Sequence, residues 1–178
     1  MKDMDKARYI KGSVVTEIVL MAAMLVFIIL PVFSTIVEKY VLMEKARVIR
    51  DAADMTNISA YNAISAADLG KTAVDVSHTE VLDIYAQMLG RNLRLEEDMD
   101  PRPDSVAEGQ VEVLSLVVYS DGFPATCPEG AAITRPTVHS CISVPVKPSL
   151  YRGIILGMLG RDSIDIVVHV DSEIPLDN

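Results

Sequence analysis

The stretch Lys11–Phe33, KGSVVTEIVLMAAMLVFIILPVF, decides how the rest of this chain is read. It opens on a cation and passes into an apolar run that continues to Val37, with Glu17 as its only charge. A helix needs about 20 apolar residues to cross hydrocarbon, and this run is long enough. Pro31 is expected to bend the helix or loosen it locally. A carboxylate within a membrane span costs roughly 2.5–3.5 kcal/mol at its centre and less near the interface, so Glu17 needs a physical reason to be there. A cleavable secretory signal would have a shorter apolar region ending in small residues of the A-x-A type. Here the run leads into FSTIVEKYVLMEKARVIRDAAD, which has no such site.

Charge sets an expected orientation. Residues 1–12 carry Lys2, Lys6, Arg8 and Lys11 against Asp3 and Asp5, a net +2, whereas residues 65–178 carry a net −10. A basic stub before an apolar run is expected to stay in the cytoplasm, with the acidic body outside. An acidic body repels phosphate backbones, so no nucleic-acid partner is expected.

Beyond the apolar run, Leu42, Ala46, Ile49, Ala53, Thr56, Ala60 and Ala63 recur at steps of 4 and 3. That is a narrow seam of period 3.5, made largely of small residues. Arg47–Asp51 and Arg50–Asp54 lie on other faces at i, i+4. A helix over 13–64 would be roughly 75–80 Å long at 1.5 Å per residue. The seam serves either close helix–helix approach between subunits or seating of the chain's own body.

In the body, Ser77 and Glu80 form an S-x-x-E capping box ahead of a helix from about Glu80 to Leu89, which Gly90 would end. An acidic, Pro-containing loop follows, LEEDMDPRPDSVAEGQ. Asp98, Asp100 and Asp104 there lack the turn glycine and terminal Glu of a calcium loop. Val111–Tyr119 is dense in Val and Leu, as a central strand would be. Residues 138–146 and 164–171 alternate apolar and polar side chains. Between them Leu150, Ile154, Ile155, Met158 and Leu159 suit a short helix closed by Gly160. The expected fold class is α+β: a long N-terminal transmembrane helix, then a small, mostly antiparallel sheet with short helices. The domains are a leader (1–12), a long helix with a membrane-spanning first half (13–64), and an extracytoplasmic body (65–178).

Cys127 and Cys141 are expected to form a disulfide in an extracytoplasmic body, closing a loop of about 15 residues for on the order of 3 kcal/mol. In a cytosolic chain they would be free thiols. His139 beside Cys141 lacks the paired-ligand spacing of a zinc site, so no metal site is expected. No nucleophile–base order, phosphate-binding glycine motif or H-E-x-x-H occurs. No catalytic residue, enzyme activity or cofactor is expected.

Gly12, then Ser13-Val14-Val15-Thr16-Glu17, then the apolar run, resembles a type IV prepilin processing site. The small residue at position 13, the glutamate four residues on, and a run containing Pro31 resemble the TadE-like pseudopilins of the tight-adherence (Tad, or Flp) pilus system. VLMEKARVIRDAADMTNISAYNA is similar to the helix after the anchor in those proteins. CISVPVKPSLYRGIILGMLGRDSIDIVVHVDSE resembles their closing strand–loop–helix–strand unit. The resemblance implies a minor pilin or pseudopilin cut by a prepilin peptidase between Gly12 and Ser13. It implies that Glu17, then fifth in the mature chain, meets the new N-terminal amine of a neighbouring subunit and marks packing register. The implied partners are other pilin subunits, the peptidase, the inner-membrane assembly platform and membrane lipid. The implied location is the cytoplasmic membrane, with entry into an extracellular pilus. The alternative is an unprocessed single-pass membrane protein whose body binds a ligand or partner outside the cell.

Overall fold

A computed structural model of the chain describes residues 14–68, 78–120 and 122–174. The architecture is α+β: a long apolar N-terminal helix, then a small antiparallel sheet with shorter helices. The chain divides into two compact units, Met1–Leu42 and Met43–Asn178. The division falls inside the first helix (α1, described over residues 14–68), whose outer part is buried within the second unit.

In the first unit, the described residues of α1 are helical from residue 14 onward. One turn is wide: Leu25–Ile29 is a π-helix, with Leu30 N–H bonded to Leu25 O. The cause lies just beyond. Pro31 has no N–H, and its ring would press on the carbonyl four residues back; the wider turn relieves that crowding. The expected loosening at Pro31 therefore takes the form of a π turn. Regular α-helix resumes over Leu30–Asp68, where Thr35 Oγ1 donates to Pro31 O at 2.9 Å.

In the second unit, α2 spans His78–Leu93, β1 Glu112–Tyr119, β2 Ala125–Thr126, β3 Ala132–Ile133, β4 Thr137–Val146, α3 Arg152–Leu159 and β5 Ile164–Glu173. The three long strands form an antiparallel sheet in the order β1-β4-β5, and β2 and β3 form a separate hairpin. Val111–Tyr119 was expected to be central, yet β1 is an edge strand and β4 occupies the middle. The Val- and Leu-rich composition of β1 reflects one covered face. Two-sided pairing falls to β4, whose side chains are nearly all buried. Pro145 is tolerated in that central strand because pairing with β1 begins at Ser143, leaving Pro145 paired on one side only, with Asp165.

Strand alternation divides the sheet. One face carries Leu116, Val138, Ser140, Ile142, Val144, Val168 and Val170, all buried. Asn57 of α1 and Tyr85 of α2 meet it, the first at Val138 and Val170 and the second at Ser140, and Ile49, Ala53, Thr56 and Ala60 of α1 and Leu89 of α2 are buried with them. The part of the seam from Ile49 to Ala60 is thus buried within the chain's own body. Asn57 Nδ2 reaches Val138 O (3.1 Å), Val170 O (3.4 Å) and Ser172 Oγ (2.9 Å). Lys45 Nζ donates to Lys147 O at 2.9 Å and pairs with Glu108 at 3.2 Å. The expected Arg47–Asp51 pair is present at 3.9 Å but exposed, so it contributes little.

Two helix ends test the cap assignments. Gly160 closes α3 as expected, at φ +61°, with Arg161 N–H bonded to Leu156 O. Gly90 does not end α2. The helix runs on to Leu93, and Arg94 takes the left-handed conformation (φ +58°) while Leu95 N–H returns to Gly90 O at 2.7 Å. The Schellman bond needs a left-handed residue after the last turn, and here tertiary structure imposes that on an arginine. Ser77 of the capping box lies outside the described residues.

Candidate functional site

Two features carry chemistry: the apolar segment of α1, and a polar cluster on the sheet face away from α1.

In the apolar segment, consecutive residues on every side of the helix are exposed, among them Val15, Ile18, Val19, Leu20 and Met21. None of the most apolar 18-residue window is buried by the rest of the molecule. Soluble amphipathic helices confine apolar side chains to one stripe, whereas a helix apolar all round belongs in lipid or within a bundle. This helix is long and apolar enough to cross a membrane. Glu17 is exposed near its start. Gly12 and Ser13, the expected processing site, lie outside the described residues.

The polar cluster arises from strand pairing. On β4, Thr137, His139 and Cys141 point to the same side, as alternate residues do. Register sets His139 opposite Asp171 and Cys141 opposite His169 on β5. The β2–β3 hairpin brings Cys127 and Glu129 to this face, and its hold on the sheet includes Tyr119 OH on Thr126 O (3.4 Å).

His139 is fully buried. Its Nδ1 lies 2.8 Å from Asp171 Oδ1; its Nε2 lies 3.2 Å from Glu129 Oε2 and 3.1 Å from Ser115 Oγ. His169, about one-third exposed, places Nε2 3.0 Å from Asp171 Oδ2 and 3.7 Å from Glu129 Oε2. The two imidazole centroids are 4.9 Å apart. One donor atom from each of Cys127, Glu129, His139 and His169 lies within 4.8 Å of all the others.

The expected Cys127–Cys141 disulfide is not formed. Both cysteines are free and buried. Cys127 Sγ accepts the Ala131 N–H at 3.3 Å and faces the histidine cluster. Burial, then the Glu129 carboxylate, push the Cys141 thiol above its ordinary value, so it stays protonated and inert at neutral pH. The absence of paired-ligand spacing in the sequence also did not foretell the convergence of Cys127, Glu129, His139 and His169. Glu129 and His169 carry no local signal. The only sequence cue was that His169 sits on the polar side of an alternating strand.

The acidic loop differs. Asp104 faces Arg94 at 3.4 Å, Glu96 faces Arg102 at 3.1 Å, and Asp98 Oδ1 accepts the Asp100 N–H. These carboxylates satisfy their own loop.

Comparison with protein-family models, with curated proteins and with solved structures finds no match for this chain. Its fold defines its class: an α+β chain with an N-terminal helix long and apolar enough to cross a membrane.

Proposed function

We propose that this chain is an assembly subunit, a TadE-like minor pilin or pseudopilin of the tight-adherence class. The apolar helix stores it in the membrane, with the basic leader in the cytoplasm and the acidic body outside. A prepilin peptidase cuts between Gly12 and Ser13. The freed helix then packs with other pilin subunits at the inner-membrane assembly platform.

The observation that carries this reading is the long helix, described from residue 14 onward, that adjoins the predicted cleavage point. Its first half is apolar on every side and its only charge is Glu17. A monotonous apolar surface fixes register poorly, since sliding exchanges one aliphatic contact for another. A carboxylate changes that. In a low-dielectric bundle it is penalised when alone and attracted to a cation. Cleavage makes such a cation at the amine of Ser13. Glu17 then favours the one axial offset that brings the two charges together.

The test is co-expression of the full chain with a prepilin peptidase, followed by N-terminal sequencing. A mature chain starting at Ser13, lost when Gly12 is replaced, is expected. An N-terminus that stays intact beside an active peptidase overturns the proposal and favours the unprocessed single-pass protein.

A further inference from the structure

We propose that Cys127, Glu129, His139 and His169 form a tetrahedral binding site for a divalent transition-metal ion of the zinc type, with Asp171 as the outer carboxylate that orients His139. The site lies in the extramembrane body, independent of pilus assembly through the apolar helix.

The donor set suits that ion. One thiolate, two imidazoles and one carboxylate are the ligand types zinc takes in four-coordinate sites. Calcium and magnesium demand oxygen donors. Spacing agrees as well. Bonds of about 2.0–2.3 Å to a central zinc place neighbouring donors about 3.3–3.8 Å apart. The Glu129 oxygen lies 3.2 Å from His139 Nε2 and 3.7 Å from His169 Nε2. No pair in the set exceeds 4.8 Å, so closure moves donor atoms by about 1 Å at the widest edge. Glu129 and His169, the more exposed members, supply that movement. Cys127 and His139 are buried and stay in place.

Hydrogen bonding makes the second argument. When His139 Nδ1–H donates to Asp171 Oδ1, the Nε2 lone pair faces the Glu129 carboxylate 3.2 Å away. Two acceptors facing one another repel unless a proton or a metal ion stands between them, and Ser115 Oγ, 3.1 Å from the same nitrogen, is a hydroxyl that can donate to it when no ion is bound. A metal ion satisfies both, together with the Cys127 sulfur and His169. The carboxylate–histidine pair behind the ligand is the arrangement that fixes imidazole tautomer and orientation in metal sites. On binding, His169 Nε2 passes from Asp171 to the metal, while Asp171 keeps His139. Sequence separation gives the ion its role: Cys127 and Glu129 are on the hairpin, His139 and His169 on β4 and β5. The metal staples hairpin to sheet, the task first expected of a disulfide.

The test uses the full chain in detergent, isolated without metal, and titrated with Co²⁺ and then Zn²⁺. One equivalent of Co²⁺ is expected to produce tetrahedral visible bands and a near-ultraviolet thiolate charge-transfer band, both removed by one equivalent of Zn²⁺. Cys127→Ser removes the charge-transfer band, His169→Ala removes the tetrahedral spectrum, and Cys141→Ser leaves both. Asp171→Asn weakens binding about 10–100-fold. Far-ultraviolet circular dichroism confirms that each variant is folded; Glu129→Gln, at an exposed site, provides a further ligand variant. The proposal is overturned if folded protein gives no tetrahedral spectrum at one equivalent, or if the spectrum survives Cys127→Ser unchanged. It is equally overturned if Cys141→Ser abolishes the spectrum, or if the native protein holds a Cys127–Cys141 disulfide that blocks uptake.

Discussion

Asn57 Nδ2 lies 2.9 Å from Ser172 Oγ, joining the outer part of α1 to the end of β5 across a buried contact. The same amide reaches the carbonyls of Val138 and Val170, and Ser172 in turn donates to Asp54 on α1 at 2.5 Å. One side chain thus fixes where along the sheet the helix sits, which small apolar residues such as Ala53 and Ala60 specify only loosely.

Replacing Asn57 therefore damages the body more than its size implies. Asn57→Ala leaves buried acceptors without a donor, at about 1–3 kcal/mol. Asn57→Asp is expected to be worse, because a carboxylate has no N–H to give. Urea unfolding of the full chain in detergent measures both. A loss no larger than that of an exposed surface substitution would remove the locating role.

On the proposed pilin function, Glu17→Ala is predicted to leave cleavage after Gly12 largely intact and to impair co-assembly with other pilins. Pull-down of the mature helix with its pilin partners, scored against N-terminal sequencing, reads both at once. Normal co-assembly of the variant would remove Glu17 as a register mark.

Gly90→Ala is predicted to stabilise the protein. Gly90 lies inside α2, where glycine costs about 0.8–1.0 kcal/mol relative to alanine. A Cβ there would meet only Leu95 O at 3.8 Å and Glu96 O at 4.0 Å, ordinary contacts. Thermal unfolding should show a higher midpoint. A lower one would mean that the loop after α2 cannot accept a methyl group.

Alkaline pH should destabilise the body through Tyr85. Burial, as the main cause, pushes its phenol up to about 12 from the ordinary 10.0, with the Ser140 hydroxyl pulling the other way. The unfolded chain releases this proton near pH 10 while the folded chain holds it, so the contribution is complete below pH 10. It is lost as pH rises from about 10 to about 12, for about 2–3 kcal/mol in total. Tyr85→Phe should flatten this part of the stability curve. An unchanged slope in the variant would assign the alkaline loss to other groups.

Much of the architecture was legible because it rests on local patterns. The apolar run after Lys11 needed only its length and composition. The alternation from Ile164 to Val170 marked β5, and the apolar spacing before Gly160 marked α3. Gly90 misled because glycine is a frequent stop signal but not an obligatory one; packing of Leu89 and Leu93 carries α2 past it. Edge and central strands were confused because Val-rich composition reports covered faces, not the number of hydrogen-bonded neighbours.

The sequence by itself determined the long helix, the single carboxylate of its apolar run and the alternating strands, since each depends on neighbours within a few turns or residues. Only tertiary structure decided that β4 lies between β1 and β5, that Asn57 locks α1 to the sheet, and that two cysteines meet different surroundings. It also brought Cys127 and Glu129 of a hairpin to His139 and His169 of two strands. Such meetings depend on register and chain reversal, which join residues far apart in sequence and leave no periodic trace in it.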